Sequence, residues 1–561
     1  MKRSGGHILV EQLRIQGVDT IFGVPGESFL AVLDAMHDHT NHMKFVICRQ
    51  EGGAAMMADA YGKTTGRPGI CMVTRGPGAT NASAGVHVAY QDSTPMILLI
   101  GQVGRDMMER EAFQEVDYRR MFGQMAKWVA QIDDAARIPE FINRAFSVAM
   151  SGRRGPVVLA LPEDMLTDVV ETPDAKPVQP VETHPSDAQM ARLKDMLKAA
   201  KKPFMIVGGS GWSETVREQV QAWAGASGIP VGASFRRQDY IDNDWPNYVG
   251  DVGIGINPKL QARIKEADLL LVMGAKLGEM ATGGYTMIDI PSPTQTLVHV
   301  HAGAEELNHV YTADLPINAT AAGFAAALQK IGPVDGRAWA ESTKTLRADY
   351  EAWQTVPPSP GDVQMMDIVK WLTKTQGSDL VLCNGAGNYA TWLHRFHRYR
   401  KHTNQLAPTS GSMGYGLPAS VAAKLVHPER TVVAFAGDGC FLMHGQEFAT
   451  ALQYGANIIV VVVNNGMYGT IRMHQEREYP ARVSGTELRN PDFAAYARAF
   501  GGHGETVLKT EEFASAFERA KASGKPAIIE IKLDPEALTP RMTLSQIREA
   551  AVKAKAHHSD R

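Results

Sequence analysis

Residues 431–467 read TVVAFAGDGCFLMHGQEFATALQYGANIIVVVVNNGM, and this stretch decides the fold. Its two apolar runs, 431–435 and 458–463, are rich in β-branched residues and predict strands that are buried on both faces. The 24 residues between Gly439 and Asn464 fit the helix and the second strand of a βαβ unit. A Gly-Asp-Gly cluster and an Asn-Asn pair then follow two adjacent parallel strands. Because the carboxyl ends of parallel strands meet at one edge of a sheet, the stretch predicts a ligand-binding cluster at that edge.

Short apolar runs alternate with helical stretches along the rest of the 561-residue chain. This alternation is typical of parallel α/β sheets. A polar stretch rich in Pro, Thr and Glu at 171–185 and a Pro-rich stretch at 356–360 separate three segments. Each segment is near the ordinary domain size of about 150 residues. We therefore predict an α/β protein with three doubly wound parallel-sheet domains, at residues 1–170, 186–335 and 360–540.

Composition and charge exclude several classes of protein. The chain has 57 Lys and Arg against 60 Asp and Glu, a formal charge of −3, and so lacks the basic excess of a nucleic-acid or anionic-membrane binder. Four widely spaced cysteines have no metal-ligand or redox-pair spacing and fit a reducing cytosol. The amino-terminal residues do not form a signal peptide, and no run of about 18 apolar residues occurs. We expect a cytoplasmic protein with neither nucleic acid nor membrane as a partner.

The Gly-Asp-Gly and Asn-Asn clusters carry the strongest chemical signal. Asp438 offers a carboxylate oxygen and Asn465 a carbonyl oxygen, which suit Mg²⁺ or Ca²⁺ bound together with phosphates. Taken singly, each cluster is also an ordinary turn former. Together, at this spacing, they resemble the diphosphate-binding signature of thiamine-diphosphate enzymes, and the whole chain resembles the acetolactate synthase, pyruvate oxidase and benzoylformate decarboxylase family. The resemblance implies a pyrimidine-binding, a central and a diphosphate-binding domain, with thiamine diphosphate and Mg²⁺ as cofactors.

A glutamate follows a predicted strand of the first domain. Glu51 begins the helix after the strand at 45–48. In the family, a Glu at this point bonds the ring nitrogen of the cofactor's aminopyrimidine and shares its proton, so the resemblance implies that Glu51 is the catalytic acid–base group. The alternative is a first-turn helix residue that the helix dipole favours.

The resemblance also implies the rest of the cofactor site. Met413 would lie beneath the bent cofactor, and the carbonyl of Gly411 would hold its amino group. Asp438, Asn465 and Met467 would form the metal site. The implied cofactor-binding residues are Glu51, Gly387, Asn388, Tyr389, Gly411, Met413, Gly437, Asp438, Gly439, Cys440, Asn465, Met467, Tyr468 and Gly469.

The substrate pocket departs in part from the family pattern. Glu27 stands where acetolactate synthases usually have a small residue, and an acidic group there would repel the carboxylate of a second 2-oxo acid unless it is protonated or paired. Arg75, where Ser is usual, offers that pairing, or it binds a negative group of the substrate. The pocket residues implied by the resemblance are Glu27, Ser28, Arg75, Phe113, Gln114 and Lys127.

The expected function is that of a thiamine-diphosphate- and Mg²⁺-dependent carbon–carbon lyase or carboligase that resembles acetolactate synthase. It would decarboxylate a 2-oxo acid to an enamine and transfer this to a second carbonyl. The alternative within the family is a non-ligating decarboxylase of the benzoylformate decarboxylase type. A non-catalytic scaffold protein and a flavin or nicotinamide oxidoreductase are the rivals from other classes.

The central domain and the assembly complete the expectations. FAD is not expected, because flavin-containing relatives carry an Arg in the motif that here reads 274–277 and Asp residues where this chain has His301 and Gly303. In the family, the cofactor lies between the pyrimidine domain of one subunit and the diphosphate domain of another. The resemblance therefore implies an obligatory homodimer and favours a homotetramer.

Overall fold

The structure is a computed structural model and describes residues 2–559. The chain forms two compact units. One consists of Met1–Glu182 with Val421–Val426, and the other of Thr183–Ser420 with His427–Arg561. The first unit holds one large sheet and the second holds two.

The first unit is built on a six-stranded parallel sheet with the strand order β3-β2-β4-β5-β7-β6. A short antiparallel ribbon joins β1 to β8. The chain leaves β2 toward β3 on one side and reaches β4 on the other, which makes the carboxyl edge beside β2 a topological switch point. Its elements are β1 (Arg3–Ser4), α1 (Gly5–Ile15), β2 (Thr20–Gly23), α2 (Leu30–His37), β3 (Lys44–Ile47), α3 (Glu51–Thr65), β4 (Gly69–Val73), α4 (Pro77–Asp92), β5 (Met96–Gln102), α5 (Tyr118–Phe122), β6 (Trp128–Gln131), α6 (Ile138–Met150), β7 (Pro156–Pro162), α7 (Glu163–Thr167) and β8 (Val169–Val170).

Small residues let α3 and α4 pack closely against each other. A Cβ atom on Gly85 of α4 would lie 2.4 Å from the Cβ of Ala55 in α3, so only glycine fits at this crossing. The side chain of Gln50 accepts a hydrogen bond from the backbone N–H of Gly53 at 3.0 Å and caps α3. The start of α3, with Glu51, is thereby held at the carboxyl edge of β3.

The central sheet of the second unit has the order β11-β10-β9-β12-β13-β14, all parallel. Alternate residues of β9 pack into two different apolar clusters, Met205 and Val207 into one and Phe204 and Ile206 into the other. Both faces of the sheet are therefore covered, as its continuous apolar runs predict. Its elements are α8 (Asp187–Ala199), β9 (Pro203–Val207), α9 (Glu214–Ala226), β10 (Val231–Ser234), β11 (Tyr248–Val252), α10 (Pro258–Lys265), β12 (Leu269–Met273), β13 (Thr296–His301), β14 (Leu315–Asn318), α11 (Ala321–Ile331) and α12 (Ala340–Trp353).

The third sheet has the order β16-β15-β17-β18-β20-β19 and is also parallel. Its switch point lies between β15 and β17, since β16 and β17 flank β15 on opposite sides. Its elements are α13 (Met365–Thr375), β15 (Val381–Asn384), α14 (Tyr389–Phe396), β16 (Gln405–Leu406), α15 (Gly416–Val426), β17 (Val432–Gly437), α16 (Asp438–His444), α17 (Phe448–Gln453), β18 (Ile459–Asn464), α18 (Gly469–Glu478), α19 (Phe493–Ala499), β19 (His503–Val507), α20 (Thr510–Ala522), β20 (Ala527–Lys532) and α21 (Leu544–Ser559).

Hydrogen bonds join the two sheets of the second unit. The backbone N–H of Gln238 donates to the side chain of Gln405 at 2.8 Å, and the N–H of Tyr399 donates to the side chain of Asn243 at 3.0 Å. These buried polar contacts bring the central and the third sheet into one compact unit.

The predicted fold class is confirmed, because the chain forms three six-stranded parallel sheets flanked by helices. The two predicted linkers at 171–185 and 356–360 contain no helix or strand. The predicted domain boundaries stay a prediction. All four cysteines are buried thiols. Among the described residues, no helix has the length and apolar character that crossing a membrane requires.

Candidate functional site

A cavity of about 240 Å³ lies at the carboxyl edge of the third sheet. The loops that follow β15, β17 and β18 form it together with the turn before α15. Every cofactor residue predicted from the sequence, apart from Glu51, lines this cavity. The lining residues are Ala386, Gly387, Asn388, Tyr389, Trp392, Gly411, Met413, Gly437, Asp438, Gly439, Cys440, Val463, Asn465, Met467, Tyr468, Gly469, Thr470, Ile471, Leu533 and Leu538.

Asp438 lies at the centre of a dense set of hydrogen-bond donors. One carboxylate oxygen accepts from the N–H of Gly439 at 2.9 Å. The other accepts from the N–H of Gly466 at 2.8 Å and from the side-chain amide of Asn490 at 2.7 Å. Burial raises the pKa of Asp438 above its ordinary value, and these hydrogen bonds oppose the rise. A buried carboxylate of this kind is stabilised further by a neighbouring cation.

The two asparagines after β18 have different surroundings. The side chain of Asn464 donates to Glu530 at 2.6 Å and accepts from Asn490 at 2.9 Å, so it braces the loop against β20. Asn465 faces the cavity, and its side-chain oxygen accepts a hydrogen bond from the backbone N–H of Met467 at 3.3 Å. The amide oxygen of Asn465 is therefore the one that lies beside the cavity.

The donor set suits a hard divalent cation. The described residues contain no cluster of three or more His, Cys, Asp and Glu side chains that could hold a metal by themselves. The cavity instead combines the carboxylate of Asp438 with the amide oxygen of Asn465 and the peptide group of Met467. Mg²⁺ is commonly bound by one or two carboxylates together with the phosphates of a ligand. The residues present thus fit a magnesium ion that a diphosphate helps to hold.

Glycines make room for a ligand against the cavity wall. A Cβ atom on Gly439 would lie 2.5 Å from the ring of Tyr468, and one on Gly437 would lie 3.2 Å from the ring of Tyr389. A side chain at Gly439 would require Tyr468 to move, and one at Gly437 would make a tight contact with Tyr389. Glycine at both positions leaves the peptide N–H groups open to direct approach by an anion. The cavity wall therefore fits a diphosphate group.

Tyr389 and Cys440 fix the loops around the cavity. The hydroxyl of Tyr389 accepts from the N–H of Gly385 at 3.0 Å and contacts the sulfur of Cys440 at 3.3 Å. The same sulfur accepts from the N–H of Gly414 at 3.2 Å. Burial raises the pKa of Tyr389 well above its ordinary value, so the hydroxyl stays neutral. These contacts tie the turn that carries Met413 to the Gly-Asp-Gly loop.

Glu51 lies in the first unit, at the first turn of α3. Its side chain is half-buried, and one carboxylate oxygen accepts from the side-chain amide of Asn81 at 2.9 Å. The other oxygen lies 3.5 Å from the position that a Cβ atom on Gly78 would take, which is an ordinary van der Waals contact. One oxygen of Glu51 is thus oriented by α4 and the other is left accessible.

Arg75 pairs with two acidic residues of the first unit. Its guanidinium donates to Glu163 at 2.9 Å and to Glu27 at 3.2 Å, and its Nε donates to the carbonyl of Phe113 at 3.3 Å. The pairing of Glu27 with Arg75 is therefore present in the structure. Arg75 is 7% exposed, whereas the side chain of Glu27 is 66% exposed and reaches solvent beyond the pair.

Phe113 and Gln114 lie beside this ion-pair cluster. Phe113 is 73% exposed, so it is not a core aromatic residue. Gln114 packs on Gly76, where a Cβ atom would lie 2.8 Å from that of Gln114. The structure thus places these two predicted pocket residues at the carboxyl edge near Arg75.

The other two predicted pocket residues, Ser28 and Lys127, have different surroundings. Ser28 is completely buried, and its hydroxyl shares a 2.8 Å hydrogen bond with Thr74, so it supports the loop and has no surface to offer a substrate. Lys127 precedes β6 and therefore lies at the amino edge of the parallel sheet, opposite to Arg75. Its ammonium group donates to the carbonyls of Val148 and Ser151. Within its own chain, Lys127 closes a loop and does not meet the other pocket residues.

Sequence reasoning missed Asn490 and the role of Asn81. Asn490 precedes α19 in an irregular segment, and only the folded chain brings it to Asp438. Asn81 lies in α4, and its hydrogen bond to Glu51 depends on how α3 packs on α4.

Three family models match the chain in order. They are described as the N-terminal TPP binding domain, the central domain and the C-terminal TPP binding domain of thiamine pyrophosphate enzymes, and they match residues 3–121, 190–330 and 385–531. The first match contains β1 to β5 and ends before β6 and β7, and the second contains β9 to β14. The third begins directly after β15, ends within β20 and includes every residue that lines the cavity except Leu533 and Leu538.

Curated relatives match over nearly the whole chain. The chain is 30% identical to the acetolactate synthase isozyme 2 large subunit of Escherichia coli over 538 residues, which are 95% of this chain and 96% of the relative. It is 31% identical to the acetolactate synthase large subunit of Parasynechococcus marenigrum, over 94% of this chain and 87% of the relative. It is 28% identical to the mitochondrial acetolactate synthase catalytic subunit of Saccharomyces cerevisiae, over 95% and 81%. With three matching domains and relatives of this similarity along its length, the chain belongs to the family of thiamine-pyrophosphate-dependent enzymes that resemble acetolactate synthase.

Proposed function

We propose that this enzyme is a Mg²⁺-dependent carbon–carbon lyase or carboligase that decarboxylates a 2-oxo acid and transfers the remaining fragment to a second carbonyl. The observation that carries the proposal is the cavity at the edge of the third sheet. It gathers a buried carboxylate, an amide oxygen and a glycine-lined wall, which together suit a magnesium-bound diphosphate. The similarity to acetolactate synthases along the chain supports the same reaction class.

In this proposal, the second unit holds the cofactor. Asp438, Asn465 and Met467 would hold the magnesium ion, and the peptide groups of Gly437 and Gly439 would contact the diphosphate. When bound, thiamine diphosphate supplies a nucleophilic carbon and an electron sink for the chemistry at the substrate carbonyl. The remaining cofactor residues, assigned by the family resemblance, are Gly387, Asn388, Tyr389, Gly411, Met413, Cys440, Tyr468 and Gly469.

We assign the transfer of a proton to and from the cofactor's ring nitrogen to Glu51. Asn81 donates to one carboxylate oxygen, so the other oxygen is available to share a proton with a ring nitrogen of the cofactor. The first turn of α3 and its Gln50 cap hold this carboxylate in one place. A fixed acid–base group of this kind contributes a factor of about 10² to 10⁴ to a rate.

The ion-pair cluster restricts the second substrate. Glu27 and Glu163 bring two carboxylates to one guanidinium, that of Arg75, so the cluster carries an excess of negative charge. A second 2-oxo acid would meet this charge with its own carboxylate, whereas an aldehyde would not. We therefore assign Glu27, Arg75, Phe113 and Gln114 to the substrate pocket and propose an uncharged acceptor.

A simple decarboxylase is the second candidate function, because the two carboxylates beside Arg75 disfavour a 2-oxo acid as acceptor and so remove one of the compounds that compete with a proton. If no carbonyl compound is accepted, a proton ends the reaction, and the enzyme is a simple decarboxylase that releases an aldehyde. In the first function the bound fragment reacts with a carbonyl compound, and in the second it is protonated. The products therefore distinguish the two functions.

The family resemblance also supports an assembly in which each cofactor contacts two subunits. Glu51 of one chain and Asp438 of another would then serve one active site. We propose an obligatory homodimer, a homotetramer as the favoured assembly and a cytoplasmic location.

Product profiling tests the proposed reaction. Purified enzyme with thiamine diphosphate and Mg²⁺ is incubated with pyruvate, 2-oxobutyrate and phenylglyoxylate, each with and without acetaldehyde or benzaldehyde. A ketol that forms only when an aldehyde is present supports the carboligase with an uncharged acceptor. Release of aldehyde alone supports the simple decarboxylase. If carbon dioxide is released from none of these acids, the proposal is contradicted.

A further inference from the structure

A second and larger cavity, of about 930 Å³, lies in the second unit. The end of β11 and the following loop form one side, and α12, α14, α18 and α21 contribute to the others. Asn388 lines both this cavity and the cofactor cavity, so the two are neighbours with a shared wall. Pockets that hold small organic molecules have volumes of about 300–1,000 Å³.

The lining of the second cavity is mostly apolar. Trp353, Met473 and Ile547 form part of its wall. Two large apolar side chains, Ile254 and Met542, face it while 52% and 38% exposed. Apolar surface that stays exposed in a concave site is stabilised by burial against the apolar part of a ligand.

Four cationic side chains stand around the apolar surface: Arg395, Arg477, Arg541 and Lys555. The guanidinium carbons of Arg395 and Arg541 lie 3.5 Å and 5.1 Å from the ring centre of Trp353. Within residues 2–559, none of the three arginines forms an ion pair with a carboxylate. Burial, followed by the charge of Arg541, lowers the pKa of Arg395 to about 10. Two guanidinium groups therefore contact one indole ring, and no carboxylate in the described part of the chain neutralises their charge.

Asp251 is the one acidic residue that the cavity wall contains in the described part of the chain. Burial raises its pKa to about 7, so at neutral pH a substantial fraction of this group is uncharged. The cavity consequently keeps a clear excess of positive charge.

We propose that this cavity binds an amphipathic organic anion, with an aromatic or branched aliphatic body against the apolar wall and a carboxylate or phosphate group on Arg395 and Arg541. Arginine forks bind either oxyanion through paired hydrogen bonds. The site is separate from the proposed cofactor and substrate sites, and it does not depend on the reaction that the enzyme performs.

Isothermal titration of the whole protein, saturated with thiamine diphosphate and Mg²⁺, tests the proposal with three probes of the same body. These are 1-naphthyl phosphate, 1-naphthoate and the uncharged 1-naphthol. We expect one bound anion per chain, about tenfold or more tighter than 1-naphthol, because hydrogen bonds between charged groups are stronger than those to a neutral hydroxyl. The tighter of the two anions identifies the preferred head group. A parallel titration of cofactor-free protein gives the same result even if the proposed function is wrong.

Variants locate the bound probe. Arg541→Gln should weaken the binding of the anion about tenfold or more. Ala550→Trp fills the cavity and should abolish binding. Arg337→Gln removes an arginine that is 91% exposed and remote from the cavity wall, so it should leave binding unchanged. The proposal is overturned if neither anion binds, if 1-naphthol binds as tightly, or if Arg541→Gln and Ala550→Trp leave the affinity of the anion unchanged.

Discussion

The two carboxylates of the proposed mechanism have surroundings that match different tasks. Asp438 is buried and accepts three hydrogen bonds, which suits a fixed metal ligand. Glu51 is half-buried and accepts one from Asn81, which leaves an oxygen for proton exchange. Both stand at the first turn of a helix that follows a parallel strand, so their difference comes from the neighbouring elements, which are loops around Asp438 and α4 beside Glu51.

Replacing Glu51 tests the proton-transfer role. Glu51→Gln keeps the size of the side chain and removes its acidity, and we expect turnover to fall by a factor of about 10² or more. Steady-state assays with thiamine diphosphate in excess measure the change. Glu140→Gln, at the exposed first turn of α6, should retain wild-type activity. Turnover within about twofold of wild type in Glu51→Gln would remove the role.

Replacing Glu27 tests the charge of the substrate pocket. Glu27→Ala removes one of the two carboxylates beside Arg75 and leaves its pair with Glu163. We expect the rate with a 2-oxo acid acceptor to rise about fivefold relative to an aldehyde acceptor, because one repulsive charge is worth on the order of 1 kcal/mol near a surface. Competition between the two acceptors measures the ratio. An unchanged ratio contradicts the assigned role of Glu27.

At the scale of helices and strands, the sequence predicts the elements that have a periodic apolar pattern. It does not predict residue positions that depend on tertiary contacts. The apolar sequence runs of β17 and β18 predict both strands. The polar residues that follow each run are thereby predicted to lie at the carboxyl edge of the sheet. Lys127 was assigned from likeness alone, and its place before β6 puts it at the other edge of the sheet. Asn490 belongs to no periodic pattern, and only packing brings it to Asp438.

Two helices of the second unit are joined through a buried glutamate. Glu476 of α18 is fully buried and accepts paired hydrogen bonds from Arg548 of α21, both at 2.8 Å. Arg472 and the backbone N–H of Ala481 donate to the same carboxylate. The hydrogen bond with Arg548 is the main cause that lowers the pKa of Glu476 to about 2.

Glu476→Gln should destabilise the protein by about 2 kcal/mol at pH 7, less than for a fully buried pair because both arginines are partly exposed. The pKa of Glu476 is lower in the folded chain than in the unfolded chain. Its contribution is therefore complete above about pH 4.5 and is lost as the pH falls toward 2. Urea unfolding between pH 7 and pH 3 should show the wild type and the variant converging. A constant difference down to pH 3 contradicts this role.

At the scale of the whole molecule, the two proposed halves of the active site lie in different units of the chain. Glu51 belongs to the first and Asp438 to the second. The family resemblance assigns the two residues of one active site to two subunits, which makes mixed assemblies informative.

Subunit mixing tests this arrangement. At a cofactor concentration that saturates only the wild type, Glu51→Gln and Asp438→Asn should each have little activity alone. After co-refolding of equal amounts, half of the dimers are mixed and one of their two sites is intact, so about a quarter of wild-type activity should return. No recovery, although mixed dimers are shown by mass spectrometry, would contradict a shared site.

Titration of thiamine diphosphate is the most direct test of the cation-held diphosphate in the cavity of the third sheet. With Mg²⁺ present, we expect the wild type to bind one cofactor per chain and Asp438→Asn to bind about tenfold or more weakly. Removing the divalent cation with EDTA should lower the affinity of the wild type for thiamine diphosphate to a similar degree. It should lower the affinity of Asp438→Asn little further, because both alterations remove the same interaction. Wild-type affinity in Asp438→Asn, or binding that is indifferent to EDTA, would contradict the proposed site.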